Sequence, residues 1–227
     1  MAQLHGTIID EQTGECVAAK VQVLTSSGEY ASPTNAIQKV GTGQPFFYSE
    51  GNFSVEIPRG HTFVTVERGT EYEPKHLEIQ ASSNGIHTVI ISISRWNKFA
   101  EEGWHAGNTH IHYDEKETRP DERLALDPRV EDLRMTAVSV LKRGDLEYAT
   151  NKYPVGFLTD FSSKHHYVQN GEESRHNQEP WEIGYGHIML LDIHNAVEPM
   201  SRGVLVDQFE PDYPPLSYAC DETRRQG

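Results

Sequence analysis

His110 and His112 stand one residue apart in the run Gly103-Trp104-His105-Ala106-Gly107-Asn108-Thr109-His110-Ile111-His112. In a β-strand, side chains two apart share a face, so the two imidazoles would sit side by side, as a metal centre requires. Ile111 would face the other, apolar way, which suits a strand with one face in a core and one in a site. Such a pair on an exposed strand is often no more than a solvated surface feature, so its surroundings decide. Gly103 and Gly107 flank the only Trp-His pair, and from Trp104 onward the chain carries eight of its twelve histidines.

Two later segments offer partners. Gly171-Glu172-Glu173-Ser174-Arg175-His176 places acids near Arg175, and Gly186-His187 opens the apolar run Ile188-Met189-Leu190-Leu191-Asp192-Ile193. Two strands joined by a polar loop containing Pro180 and Trp181 would bring Glu173 and His187 together. A site of His110, His112, an acid at 172 or 173, and His187 has the imidazole and carboxylate mix that suits Zn, Mn or Fe in a hydrolytic centre.

The elements around these residues divide the chain. Residues 1–95 alternate apolar and polar positions in short runs (6–10, 19–24, 46–49, 52–57, 62–67, 76–79 and 88–93) separated by turns such as Asp10 to Glu15 and Pro58-Arg59-Gly60. Period two without a helical run predicts a small antiparallel β-sandwich. His5, His61, His76 and His87 read there as ordinary surface or strand residues. Residues 96–107 form a linker. From 108, a strand to His112, a helix within 119–134 and a buried strand at 136–141 predict a βαβ unit, hence a parallel pair and an α/β domain. Pro128 suggests that the helix starts or restarts near Asp127.

Composition narrows the partners. A net charge of -14 argues against nucleic acid, because phosphate binding needs a concentrated basic surface. Cys16 and Cys220, at opposite ends, supply neither a disulfide framework nor a cysteine-rich zinc site, so the compartment stays open. No stretch approaches the roughly 20 apolar residues of a membrane span.

The first 95 residues resemble the carboxypeptidase regulatory-like, or transthyretin-like, accessory domains in Gly6-Thr7-Ile8-Ile9-Asp10 with Thr13-Gly14, in Gly51-Asn52-Phe53, and in Gly60 to Gly69 followed by Glu71-Tyr72. Such domains are usually non-catalytic companions of an enzyme. Residues 103–227 resemble the PHP-type metallohydrolases of the CehA/McbA-like branch in Gly103 to His112, Gly171-Glu172-Glu173-Ser174-Arg175 and Gly186-His187. That resemblance implies a distorted β/α barrel domain over 108–227. His110 and His112 would ligate one metal, and Glu173 would be a carboxylate ligand, able to bridge two metals if a second is bound. His187 would be a further ligand or a supporting residue. Glu173 is preferred to Glu172 because it fits Gly-x-Glu and, in a strand, shares a face with Arg175, whose guanidinium could steady it or hold an anionic substrate group. His165, or else His166, is the candidate proton carrier.

The chain departs from that family in two places. Where members carry Thr-Asp-His after the second strand, this sequence has Lys142-Arg143-Gly144-Asp145, leaving Asp145, Asp160 or His165 to substitute. It also stops near a helix that in the family precedes further ligands, so the expectation is the N-terminal portion of a longer polypeptide with an incomplete domain. Two functions follow: a divalent-metal-dependent hydrolase of small-molecule ester or phosphoester bonds, or a non-catalytic binding protein with a degenerate domain. Trp96, Trp104, Trp181, Tyr213 and Tyr218 read by default as packing residues, and His105, His176 and His194 as loop or surface residues.

Overall fold

The computed structural model describes every residue except 42, 145, 178–185, 204, 205 and 207–212. It divides into two compact units, Met1–Ala106 with Ala125–Leu133, and Gly107–Leu124 with Arg134–Gly227.

The first unit contains β1 (Ala2–Asp10), β2 (Ala19–Leu24), β3 (Gln38–Gly41), β4 (Gln44–Ser49), β5 (Asn52–Ile57), β6 (Gly60–Glu67), β7 (Lys75–Ala81) and β8 (Ile86–Ile93). They form a three-stranded sheet, β5-β1-β8, and a five-stranded sheet, β3-β4-β2-β6-β7. The inward residues of both sheets, among them Leu4, Ile8, Ile57 and Ile91 from one and Val21, Phe47, Val64 and Val66 from the other, make one core. The fold is β-sandwich-like, with one departure from an all-antiparallel arrangement: β1 and β8 run parallel.

A buried polar cluster closes this unit. Tyr72 donates its hydroxyl hydrogen bond to Asp10 Oδ2 at 2.7 Å, while Asp10 Oδ1 accepts the backbone N–H groups of Gln12 and Thr13, each at 2.9 Å. Burial, reinforced by the bond to Asp10, pushes the Tyr72 phenol up to about 12. Two guanidinium groups lie over the ring, Arg68 at 5.3 Å and Arg95 at 4.5 Å. Arg68 also reaches Asp132 Oδ1 at 2.6 Å, and Arg95 pairs with both Asp132 and Glu71. Gly69 is required beside this cluster, since its φ is +50° and a Cβ there would lie 2.3 Å from the Glu131 carbonyl oxygen.

The second unit contains β9 (Gly107–Ile111), β10 (Met135–Val140), β11 (Gly156–Phe157), β12 (Tyr167–Asn177), β13 (Gly186–Leu190) and β14 (Ser201–Gly203). Helix α1 (Pro120–Val130) begins in it and ends in the first unit, and α2 (Leu216–Gln226) belongs to it. The sheet runs β11-β12-β10-β9, with β13 and β14 also on β12. β9 and β10 are parallel, as are β10 and β12, while β11 and β13 run antiparallel to β12. Tyr113, Leu124, Val138, Tyr153, Leu158 and Val168 form its main core.

The parallel pair expected of the βαβ segment is present, but the expected α/β, barrel-like domain is not. The chain is mostly β, 43% strand against 16% helical, with two α-helices among the described residues. The reason lies between β10 and β12. That crossover carries Gly144, Pro154 and Gly156 and forms short 3₁₀ turns at Ala149–Lys152 and Thr159–Phe161, where a barrel would need a helix. Helix α1 also differs from expectation. It starts at Pro120, and Pro128 lies inside its last turns. No described helix is long and apolar enough to cross a membrane.

Strand β12 separates two adjacent glutamates. Glu173 points to one face and Glu172 to the other, where it is fully buried and accepts the Val197 N–H at 2.5 Å. Burial pushes the Glu172 carboxyl up to about 7, the Val197 bond opposing and Glu198 adding to the rise. Gly171, just before them, has no room for a side chain, because a Cβ would lie 2.4 Å from the Leu190 carbonyl oxygen.

Two outcomes test these arrangements. Asp132→Asn keeps the residue type tolerated at its φ of +51° but removes the charge between two guanidinium groups. It should lower stability by about 2 kcal/mol, seen as a reduced urea midpoint. Glu172, with its folded pKa raised, favours folding while protonated, and that contribution fades as pH rises through 7. Stability measured with chelator present should fall mainly between about pH 4.5 and about pH 7, by an amount on the order of 3 kcal/mol from this group, and level off above that range, and Glu172→Gln should flatten the fall.

Candidate metal centre

The C-terminal ends of parallel strands are where open sheets gather functional groups. His110 lies in the last turn of pleat of β9, and His112 just beyond it. β10 stands between β9 and β12, and it stops at Val140, paired with Glu172. Glu173 is one residue past that end, so the two imidazoles reach it across the end of β10.

The result is a tight cluster. Glu173 Oε2 lies 3.0 Å from His110 Nε2 and 2.6 Å from His112 Nε2. Its other oxygen, Oε1, lies 3.1 Å from His187 Nδ1 and 3.3 Å from Arg175 Nε. The rings of His110 and His112 meet edge to face with centroids 5.1 Å apart, and His187 approaches His110 in the same way at 5.6 Å. Exposure is graded: the Glu173 side chain is 2% exposed, that of His112 14%, and that of His110 44%. The cluster is therefore closed at its carboxylate and open on the His110 side.

Burial works to raise the Glu173 pKa, but the His112 hydrogen bond and the neighbouring His112, Arg175 and His110 charges outweigh it and hold the carboxyl below its ordinary value. His112 is oriented by its other nitrogen. Nδ1 lies 3.1 Å from the Ser139 carbonyl oxygen, which can only accept, so Nδ1 carries the proton. In the neutral ring the Nε2 lone pair then faces a carboxylate oxygen. Two electron-rich atoms at 2.6 Å need a cation to bridge them: a second proton at this spacing, or a metal ion once the two donors move apart.

His110, His112 and Glu173 could hold a metal ion. Their ligand atoms all lie within 4.8 Å of one another, and they form the group of this kind found among the described residues. Bonds of about 2.0–2.2 Å in a tetrahedral site separate neighbouring donors by roughly 3.4 Å; the His110 distance of 3.0 Å comes near that value, while the His112 distance of 2.6 Å is a hydrogen-bond spacing that would open to admit an ion. The Nδ1–H to carbonyl bond of His112 is the arrangement that commonly orients a metal-bound imidazole.

Of the residues named from sequence, His110, His112, Glu173, His187 and Arg175 converge here. His165 does not. It is exposed at the other end of β12, its N–H bonded to Ser163 Oγ, and six strand residues from Tyr167 to Glu173 span about 20 Å. Asp160 is likewise exposed and away from the cluster, and Asp145 and Trp181 lie outside the described residues. His176, read as a surface residue, is buried at 1% exposure, because it shares the inner face of β12 with Glu172 and Ser174. Trp104 is 72% exposed, so it is not a packing residue. Sequence reasoning missed two contributors. The Ser139 carbonyl is main chain and carries no residue signature. Tyr148, whose ring lies 5.3 Å from that of His112, arrives by a loop no periodicity reveals.

Compared with known proteins, the chain matches no protein-family model and no curated protein.

The tautomer is directly measurable. With Zn²⁺ added, nitrogen-detected NMR of histidine-labelled protein should show His112 with its proton on Nδ1. An Nε2–H signal for His112 would contradict the geometry.

Proposed function

We propose that this chain binds a divalent metal ion through His110, His112 and Glu173 and uses it to hydrolyse an ester or phosphoester bond in a small molecule. The observation that carries the proposal is the convergence of two imidazole nitrogens on one buried carboxylate oxygen, with one ring fixed from behind by a main-chain carbonyl. A divalent ion in such a site lowers the pKa of a bound water and polarises the scissile group. The open side at His110 leaves access for water and substrate. His187 and Arg175 hold Glu173 Oε1, so the carboxylate keeps its orientation while its other oxygen serves the two histidines. Arg175 pairs with Glu173 through Nε, and the other edge of its guanidinium would serve an anionic group of the substrate.

Support from sequence comes from motifs and not from fold. The His-x-His, Gly-x-Glu and Gly-His elements that resemble PHP-type metallohydrolases meet in space, while the mostly β architecture around them is not that of an α/β barrel.

The test pairs metal content with turnover. Elemental analysis after loading with Zn²⁺ or Mn²⁺ should give stoichiometric metal in the native chain and little in His110→Ala/His112→Ala. Hydrolysis of p-nitrophenyl acetate or p-nitrophenyl phosphate should require metal, stop with chelator, and fall at least about 100-fold in Glu173→Gln. His165→Ala should leave it unchanged. Full metal retention by the double variant would defeat the site, and metal binding without turnover on ester and phosphoester substrates would defeat the hydrolase reading alone.

A further inference from the structure

A second cleft lies in the same unit, away from the metal cluster. Its volume is about 570 Å³, and Tyr153, Phe157, Phe161, Asp121, Lys152 and Asp160 are among the residues that line it. That volume is in the range of small-molecule sites. Phe157 belongs to β11 and pairs with Gln169, four residues before Glu173 on β12, so about 13 Å of strand separates the two places.

The lining combines aromatic surface with carboxylates. Phe157 is 53% exposed, unusual for so large an apolar side chain, and its ring is stacked on Tyr167 at 5.1 Å. Phe161 meets Tyr153 edge to face at 5.4 Å. The cleft already contains one ammonium group of its own. Lys152 Nζ lies 5.1 Å from the centre of the Tyr153 ring and 2.8 Å from Asp121 Oδ1, held between an aromatic face and a carboxylate. Tyr153 also donates its hydroxyl bond to Asp121 at 2.8 Å, so that carboxylate is satisfied.

The other half of the cleft repeats these components without the cation. Asp160 lies between Thr159 and Phe161 in a 3₁₀ turn, is exposed, and has no hydrogen-bond or ion-pair partner among the described residues. With Lys152 neutralised by Asp121, the lining keeps one uncompensated negative charge beside the Phe157 and Phe161 rings.

We propose that this cleft binds a small organic cation whose alkylammonium head lies against Phe157 and Phe161 and pairs with Asp160. Charge complementarity selects the cation, since an aromatic face and a carboxylate both attract positive charge, whereas a neutral apolar ligand would gain nothing from Asp160 and an anion would be repelled. The binding does not involve the metal, so it stands or falls apart from the hydrolase reading.

The test is an amide NMR titration of the full chain with choline and with its neutral isostere 3,3-dimethyl-1-butanol, both with chelator present. Choline should give saturable shifts centred on residues 152–161 and bind about fivefold or more tightly than the isostere. Asp160→Asn and Phe157→Ala, both exposed substitutions, should each weaken choline about fivefold while the rest of the spectrum stays unchanged. Equal binding of the isostere would reduce the cleft to an apolar groove. Shifts with glucose but not choline would make it a carbohydrate site, and choline binding unaffected by both variants would place the cation elsewhere; each result overturns the proposal.

Discussion

A carboxylate that is almost fully buried must be compensated, because an isolated charge taken out of water is among the costliest things a fold can contain. Glu173 is in that position, and the second unit is arranged around it. Two imidazoles approach one oxygen, a third imidazole and a guanidinium approach the other, and the side chain keeps its ionised form although burial alone would favour the neutral one. Remove the charge, and the positions of His110, His112, His187 and Arg175 lose their common cause. The cluster is therefore an electrostatic unit first. Its capacity for a metal ion follows from the same convergence.

The sheet supplies the geometry at little cost. Because β10 ends at Val140, the space above its last residues is free, and donors from β9 and β12 meet there although a strand lies between them. A longer β10 would fill that space. The Ser139 carbonyl, one residue before the end, then fixes His112 from behind. The antiparallel pairing of β13 puts His187 directly opposite Arg175, two residues from Glu173 on the same face. No described helix contributes a ligand.

Much of this was legible in the sequence. Period-two alternation located the sandwich strands, and the spacing of His110 and His112, the Gly-x-Glu context of Glu173 and the Gly-His entry to β13 located the cluster. What stayed hidden has physical reasons. The parallel pairing of β1 with β8 depends on two segments about eighty residues apart, and local alternation is the same for either strand direction. The strand and helix around Asp127 suggested an α/β domain, and the family resemblance a barrel, because a βαβ unit looks alike at the start of many folds. The next crossover, rich in turn residues, decided otherwise. His165 looked useful for its residue type, yet its position just before β12 puts about 20 Å of strand between it and the cluster. His176 looked peripheral because a polar residue in a polar stretch gives no hint that its strand is buried on both faces.

Strand β12 carries Glu172 and Glu173 in succession, with opposite fates: one faces the histidines, the other a closed interior. Shifting the strand by a single residue against its neighbours would exchange them and turn Arg175 inward. Gly171 prevents this. The Leu190 carbonyl occupies the place where any side chain at that point would begin, and β12 contains no other glycine to take the place. The choice between two chemically identical residues is thus made by an atom that is missing from a third, and the alignment of the strand is checked by steric fit before any ion or substrate is involved.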